Sequence, residues 1–153
     1  MEDIRKILEE LIAQDEEESC AVEGDMSEKT PEDLLDVGEQ YLYDGKYGEA
    51  IAIYKEVIKR GASLPTLAKV CNDCGVAYAS MERYDRAVGF FNAAASLREY
   101  LIDDGISVFR NLARVYSLMG DEEKAERSRK IAKAIEEEVI QRNREAMQMF
   151  SHI

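Results

Sequence analysis

The chain repeats one short pattern of small and aromatic residues three times, and this repetition restricts its fold more than any other feature. The pattern returns after 37 residues and again after a further 38. Its members are Gly38, Tyr41, Ala50 and Tyr54, then Gly75, Tyr78, Ala87 and Phe91, and finally Ala113, Tyr116 and Ala125. Repeats of this length are typical of stacked supersecondary units, each of which buries its apolar face only against its neighbours.

Capping and breaking residues predict a pair of helices in every unit. Thr30 and Pro31 form the arrangement that opens a helix, and Gly45, Gly61 and Gly105 mark breaks between helices. The predicted helices span about 31–43, 47–60, 65–81, 84–101, 106–118 and 121–153. The sequence shows no strand-like alternation of useful length, so it predicts an all-α fold.

These units resemble the tetratricopeptide repeat (TPR). The first unit reads Leu-x-x-Val-Gly-x-x-Tyr over Leu34–Tyr41. Further matching positions are Tyr47, Cys74, Tyr84, Ala94, Phe109, Leu112, Gly120 and Ala132. The resemblance covers residues 31–135 and implies a right-handed TPR superhelix with repeats at about 31–64, 65–102 and 106–135. These repeats would belong to a domain of residues 30–153 with a C-terminal helical extension, 136–153.

The chain departs from the TPR pattern in two respects. Its repeat spacing exceeds the 34 residues usual for this family, which predicts about one extra helical turn in each unit, at the end of its second helix. Arg129 also stands where the third unit should carry an aromatic residue facing a following unit. The array is therefore expected to end there.

The resemblance implies a non-catalytic scaffold or adaptor that binds a peptide or helix of another protein in a concave groove. The residues expected to line the groove are Leu35, Asp36, Glu39, Tyr43, Asn72, Asp73, Val76, Arg110, Asn111, Arg114 and Ser117. This groove would be acidic at its N-terminal end and basic at its C-terminal end. The alternative is that the same face is merely solvated.

One type of ligand is not expected. Some TPR co-chaperones hold the C-terminal carboxylate of heat-shock proteins with a clamp of Lys, Asn and Arg side chains. The five clamp positions here are Leu35, Glu39, Asp73, Ser107 and Asn111. Two of these are acids that would repel a carboxylate, so the sequence predicts no carboxylate clamp.

The N-terminal residues 1–29 differ in character from the repeats. Residues 1–36 carry a net charge of −11, whereas residues 37–153 carry −1. Apolar residues on one helical face predict a short amphipathic helix; they are Ile4, Ile7, Leu8, Leu11 and Ile12. An acidic, flexible linker is expected after it. The helix could occupy the groove as an autoinhibitor or pack outside the first repeat helix.

No residue pattern points to catalysis, a cofactor or a metal. Cys71 and Cys74 form a Cys-x-x-Cys pair, but they lie within a predicted helix, so packing is favoured over a redox or zinc role. His152 is the single histidine. The charge pattern lacks the basic footprint of a nucleic-acid-binding protein. No apolar stretch approaches the roughly 18 residues of a membrane helix, and no signal peptide is recognisable. A cytoplasmic location is therefore expected.

The long C-terminal helix suggests a different function. Its apolar stripe continues past the part that the preceding helix can cover, and exposed apolar patches often mark interfaces. The residues proposed for self-association are Val139, Ile140, Met147 and Phe150. The second hypothesis is therefore a structural assembly subunit that homo-oligomerises through its terminal helices. Two other possibilities are that the C-terminal helix folds over the end of the bundle or that this segment is disordered.

Overall fold

The computed structural model describes residues 3–14 and 27–152, and this part of the chain is all-α, as predicted. It contains seven α-helices and a 3-10 turn at Arg98–Tyr100. The helices are α1 (Ile4–Ala13), α2 (Pro31–Tyr43), α3 (Tyr47–Lys59), α4 (Leu64–Ser80), α5 (Tyr84–Ser96), α6 (Ile106–Leu118) and α7 (Glu122–Ser151). The predicted linker lies largely outside the described residues.

Helices α2 and α3, α4 and α5, and α6 and α7 form three pairs, and each pair is joined by the same tight turn. The turn residues Gly45, Glu82 and Gly120 all adopt left-handed conformations. The following amide donates to the carbonyl of the repeat tyrosine at 2.9 Å in every case; these pairs are Lys46 to Tyr41, Arg83 to Tyr78 and Asp121 to Tyr116. This is the hydrogen bond of a Schellman cap. The sequence repeat is therefore also a repeat of turn geometry.

A glycine in each of the first two pairs makes room for an aromatic ring. A Cβ atom on Gly38 would lie 2.5 Å from the Tyr54 ring, and one on Gly75 would lie 2.6 Å from the Phe91 ring. The third pair has Ala113 where no ring must be accommodated, because the residue at the corresponding position is Arg129. That side chain is exposed and forms ion pairs within its own helix.

The prediction that the second helix of each unit is extended is wrong for the first two units. Helices α3 and α5 have 13 residues each, whereas the first helix of the second unit, α4, has 17. Left-handed Gly61 ends the segment after α3, and Pro65 lies in the first turn of α4. The other residues by which the repeats exceed the usual TPR length form the connection 97–105, which contains the 3-10 turn.

Helix α1 packs against α3 and α5. Its Leu8 and Ile12 side chains are buried, and Leu11 lies over Gly89 of α5. Arg86 donates to the Gln14 side chain at 2.6 Å, which holds the end of the helix. The hypothesis that α1 occupies the groove is therefore wrong. The alternative, that α1 packs on the outside of the first repeat helix, is wrong as well, because the main contacts of α1 are with the second helices α3 and α5.

Helix α7 leaves the packed body after its first half. Ile135 is its last fully buried side chain, and all described residues from Ile140 onwards are exposed. Beyond Ile135, Arg142 pairs with Asp104 at 2.5 Å and ties the helix to the loop before α6. The expectation that α6 covers only the first part of this helix is confirmed.

Candidate binding groove

The outward surface of α2, α4 and α6, called the groove face below, carries all the residues predicted to line a groove. All of these residues are at least partly accessible to solvent. Neighbouring positions on the same helices, including Leu34, Cys74 and Leu112, are buried against the second layer. This division follows from helical periodicity, since residues one position apart point in different directions. The face therefore runs across all three units.

Two polar contacts join adjacent helices across the groove face. Lys69 of α4 pairs with Glu39 of α2 at 2.5 Å, and this hydrogen bond raises the pKa of the Lys69 ammonium. Asn111 of α6 donates to the Asn72 side chain of α4 at 3.3 Å. Lys69 was not among the predicted groove residues. Its position four residues before Asp73, on the same helical face, is the signal that identifies it.

Asp73 lies deep in the acidic end of the groove face. Burial, with a further contribution from Glu39, raises the pKa of its carboxyl group from 3.8 to about 7, although Lys69 opposes this. Its Oδ2 atom and the Tyr54 hydroxyl are buried and have no hydrogen-bond partner among the described residues. Burial and the nearby carboxylates also raise the pKa of Tyr54. A substantial fraction of Asp73 is therefore protonated near neutral pH.

The basic end of the face carries less free charge than its sequence indicates. Arg110 pairs with Glu136 of α7 at 3.0 Å. Arg114, in contrast, is exposed and has no ion-pair or hydrogen-bond partner among the described residues. Ser117 lies within 3.5 Å of a guanidinium nitrogen of Arg129. Arg114 is thus the predicted basic groove residue that is left to meet a ligand.

A cavity of about 160 Å³ lies between α4 and α6 beside Arg114. Its lining is mostly apolar and consists of Val76, Ala79, Ser80, Phe91, Asn111, Arg114, Val115 and Leu118. Val76, Asn111 and Arg114 were predicted for the groove, whereas the other five residues were missed. Helical spacing places Ala79 and Ser80 one turn from Val76, and Leu118 one turn from Arg114.

The remaining predicted residues lie at the edge of the face. Asp36 and Tyr43 are exposed on α2, and Leu35 is half-buried. Of the clamp positions, Glu39 is paired with Lys69, and the Ser107 hydroxyl donates to Asp103 at 2.5 Å. None of the five clamp positions is occupied by Lys or Arg.

Cys71 and Cys74 are both fully buried within α4. Burial raises the pKa of the Cys71 thiol to about 12, so this thiol is protonated and unreactive at neutral pH. The packing interpretation of the pair is confirmed. In residues 3–14 and 27–152, no group of three or more His, Cys, Asp or Glu side chains is arranged to hold a metal ion.

No protein-family model matches this chain, and no curated protein matches it at a significant level. None of the described helices combines the length and apolar character needed to cross a lipid bilayer.

Proposed function

We propose that the chain is a non-catalytic scaffold of the TPR type that binds a peptide or helix of another protein on its groove face. The observation that carries this proposal is the open surface across α2, α4 and α6, with a small apolar cavity next to the exposed Arg114. Solenoid repeats commonly use such extended surfaces for binding. We also propose that the repeats form a right-handed superhelix and that the protein is cytoplasmic.

The repeated geometry supports the TPR type. Three pairs of helices are joined by identical caps at the repeat spacing, and glycines accommodate the aromatic rings in the first two pairs. The contacts from Lys69 to Glu39 and from Asn111 to Asn72 link neighbouring first helices across the face. A face held in this way is preorganised, which lowers the entropic cost of binding. Helix α1 packs elsewhere and leaves the face open.

The test is a selection of random displayed peptides on the intact chain, followed by affinity measurement and amide NMR mapping. Enriched peptides should shift the amides of Asn72, Val76 and Asn111. Val76→Arg should abolish their binding, because it places a bulky charge on the face. Ile102→Arg, in an exposed loop outside the face, should leave it unchanged. Peptides that bind equally to both variants would refute the proposal.

Assembly through α7 is the second candidate function. It is favoured by the exposure of Met147 (73%) and Phe150 (75%) on the same half-helix as Ile140 (44%) and the partly buried Val139. Light scattering on the full chain should then give a mass above that of a monomer. Phe150→Lys should return it to the monomer mass, whereas Arg144→Lys, on the same exposed segment, should not. A monomeric full chain at high concentration would exclude this candidate.

A further inference from the structure

The cavity between α4 and α6 is the right size for one side chain of a ligand. Cavities of roughly 150 Å³ hold a molecule such as benzene, and this one measures about 160 Å³. Pockets for whole small molecules are larger, at roughly 300–1,000 Å³. Val76, Val115 and Leu118 contribute aliphatic surface and Phe91 contributes an aromatic ring. The lining therefore suits one branched aliphatic side chain inserted from a longer ligand.

The polar residues of the cavity indicate the charge of that ligand. The Ser80 hydroxyl donates to the Val76 carbonyl at 2.8 Å, and the Asn111 amide donates to Asn72. Arg114 has no described partner, so its guanidinium is the polar group at the cavity with its donors still unused. Guanidinium groups bind carboxylates through two parallel hydrogen bonds. A negative group next to the inserted side chain would complete the site.

From these contacts we infer that the site binds an acidic peptide segment in which a branched aliphatic residue is adjacent to Asp or Glu. This inference rests on the proposed function and names the ligand class of the same face. The carboxylate belongs to a side chain because Arg114 is exposed and acts without a second free cation at the cavity. Of the clamp positions, only Asn111 lines the cavity, and its amide already donates to Asn72, so a terminal carboxylate would find no second cationic partner there. The aliphatic residue anchors the segment, and Arg114 selects its acidic neighbour.

The test uses capped hexapeptides of Gly and Ser with two central residues: Leu-Glu, Leu-Gln or Ala-Glu. Amide NMR titration of the intact chain should show that Leu-Glu shifts Ser80, Asn111 and Leu118 at millimolar concentration. Replacing Leu with Ala should weaken binding about tenfold, because most of the buried apolar surface is lost. Replacing Glu with Gln should weaken it about threefold to fivefold, the range of an exposed ion pair.

Variants of the chain assign the charge preference to one residue. Arg114→Gln should remove the advantage of Leu-Glu over Leu-Gln, so that the two peptides bind this variant equally. Arg110→Gln is the matched control, because it removes an arginine of the same helix that is already paired with Glu136. It should preserve the advantage. The advantage should also shrink as salt is added.

Several outcomes would overturn the inference. Equal binding of Leu-Glu and Leu-Gln, or an advantage that persists in Arg114→Gln, would remove Arg114 as the selecting residue. Tighter binding of an uncapped peptide ending in Leu would show a terminal-carboxylate site instead. Shifts of the same amides on raising the protein concentration alone would show that a second copy occupies the cavity. If displayed peptides bind the groove face without an aliphatic or acidic preference, this inference fails and the proposed function stands.

Discussion

Replacing Asp73 with asparagine should remove a pH-dependent loss of stability. The pKa of this carboxyl group is raised from 3.8 to about 7 in the folded chain, chiefly by burial and further by Glu39, while Lys69 partly opposes the rise. The folded state therefore holds the proton more tightly than the unfolded state. The resulting stabilisation is complete below the unfolded pKa of 3.8 and is lost as the pH rises through about 7.

The size of the effect follows from the difference between the two pKa values. Each pH unit of difference corresponds to roughly 1.4 kcal/mol, so the full change in the free energy of unfolding is on the order of 4 kcal/mol. About 2–3 kcal/mol of this falls between about pH 5 and about pH 8. These values are upper limits, because the Asp73 side chain keeps some access to water. The amide introduced by Asp73→Asn carries no charge at any of these pH values.

Urea denaturation followed by circular dichroism, repeated across this pH range, measures the effect. The wild-type midpoint should fall as the pH rises, and the midpoint of Asp73→Asn should fall much less. Asp36→Asn is the matched control, because it removes an exposed carboxylate from the same face and should behave like wild type. The reasoning is refuted if Asp73→Asn keeps the wild-type pH dependence. Carboxyl-carbon NMR that places the Asp73 titration near the unfolded value would refute it as well.

Two further predictions concern the repeat geometry. Gly75→Ala should destabilise the chain by up to about 2 kcal/mol, since overpacking against the Phe91 ring costs about 1–3 kcal/mol and is only partly offset by a gain in helix propensity of about 1 kcal/mol. Gly89→Ala, whose new methyl group meets only the flexible end of Leu11, receives the same propensity gain and should be neutral to about 1 kcal/mol stabilising in the same urea experiment. Equal costs for the two variants would contradict the packing argument. Glu82→Gly should stabilise the chain by about 1 kcal/mol, because a non-glycine residue in the left-handed conformation costs about 1–2 kcal/mol. Glu82→Ala keeps the Cβ atom and should show no such gain in a thermal melt; a gain of equal size would refute the strain at this turn.

The helix boundaries were predicted to within a few residues wherever capping residues mark them. Thr30 accepts from the Asp33 amide at 3.1 Å, and Pro31 opens α2 as expected. The end of α5 was predicted five residues too late, because the 97–105 connection begins without a glycine or proline. Leu97 ends the helix through its backbone conformation and is followed by a 3-10 turn. Such an ending depends on packing and leaves little signal in the local sequence.

The repeat pattern predicted which residues of α2, α4 and α6 lie on the groove face, but it did not predict the contacts between them. Lys69 was missed, although it pairs with Glu39. The cavity beside Arg114 was not foreseen, because it requires Phe91 of α5 to meet α6. A periodic pattern places residues on a face, but it does not show which charges neutralise one another across neighbouring helices.

The sequence alone determined the helical class, the three repeated turns and the face on which the polar groove residues lie. These properties follow from local rules of capping, glycine conformation and helical periodicity. The tertiary structure decided the place of α1, whose ten residues could dock on any exposed apolar surface and pack on α3 and α5. It also decided that Arg110 pairs with Glu136 while Arg114 has no partner among the described residues, and that burial raises the pKa of Asp73 to about 7. These outcomes depend on distances between helices that are far apart in sequence, which no local pattern contains.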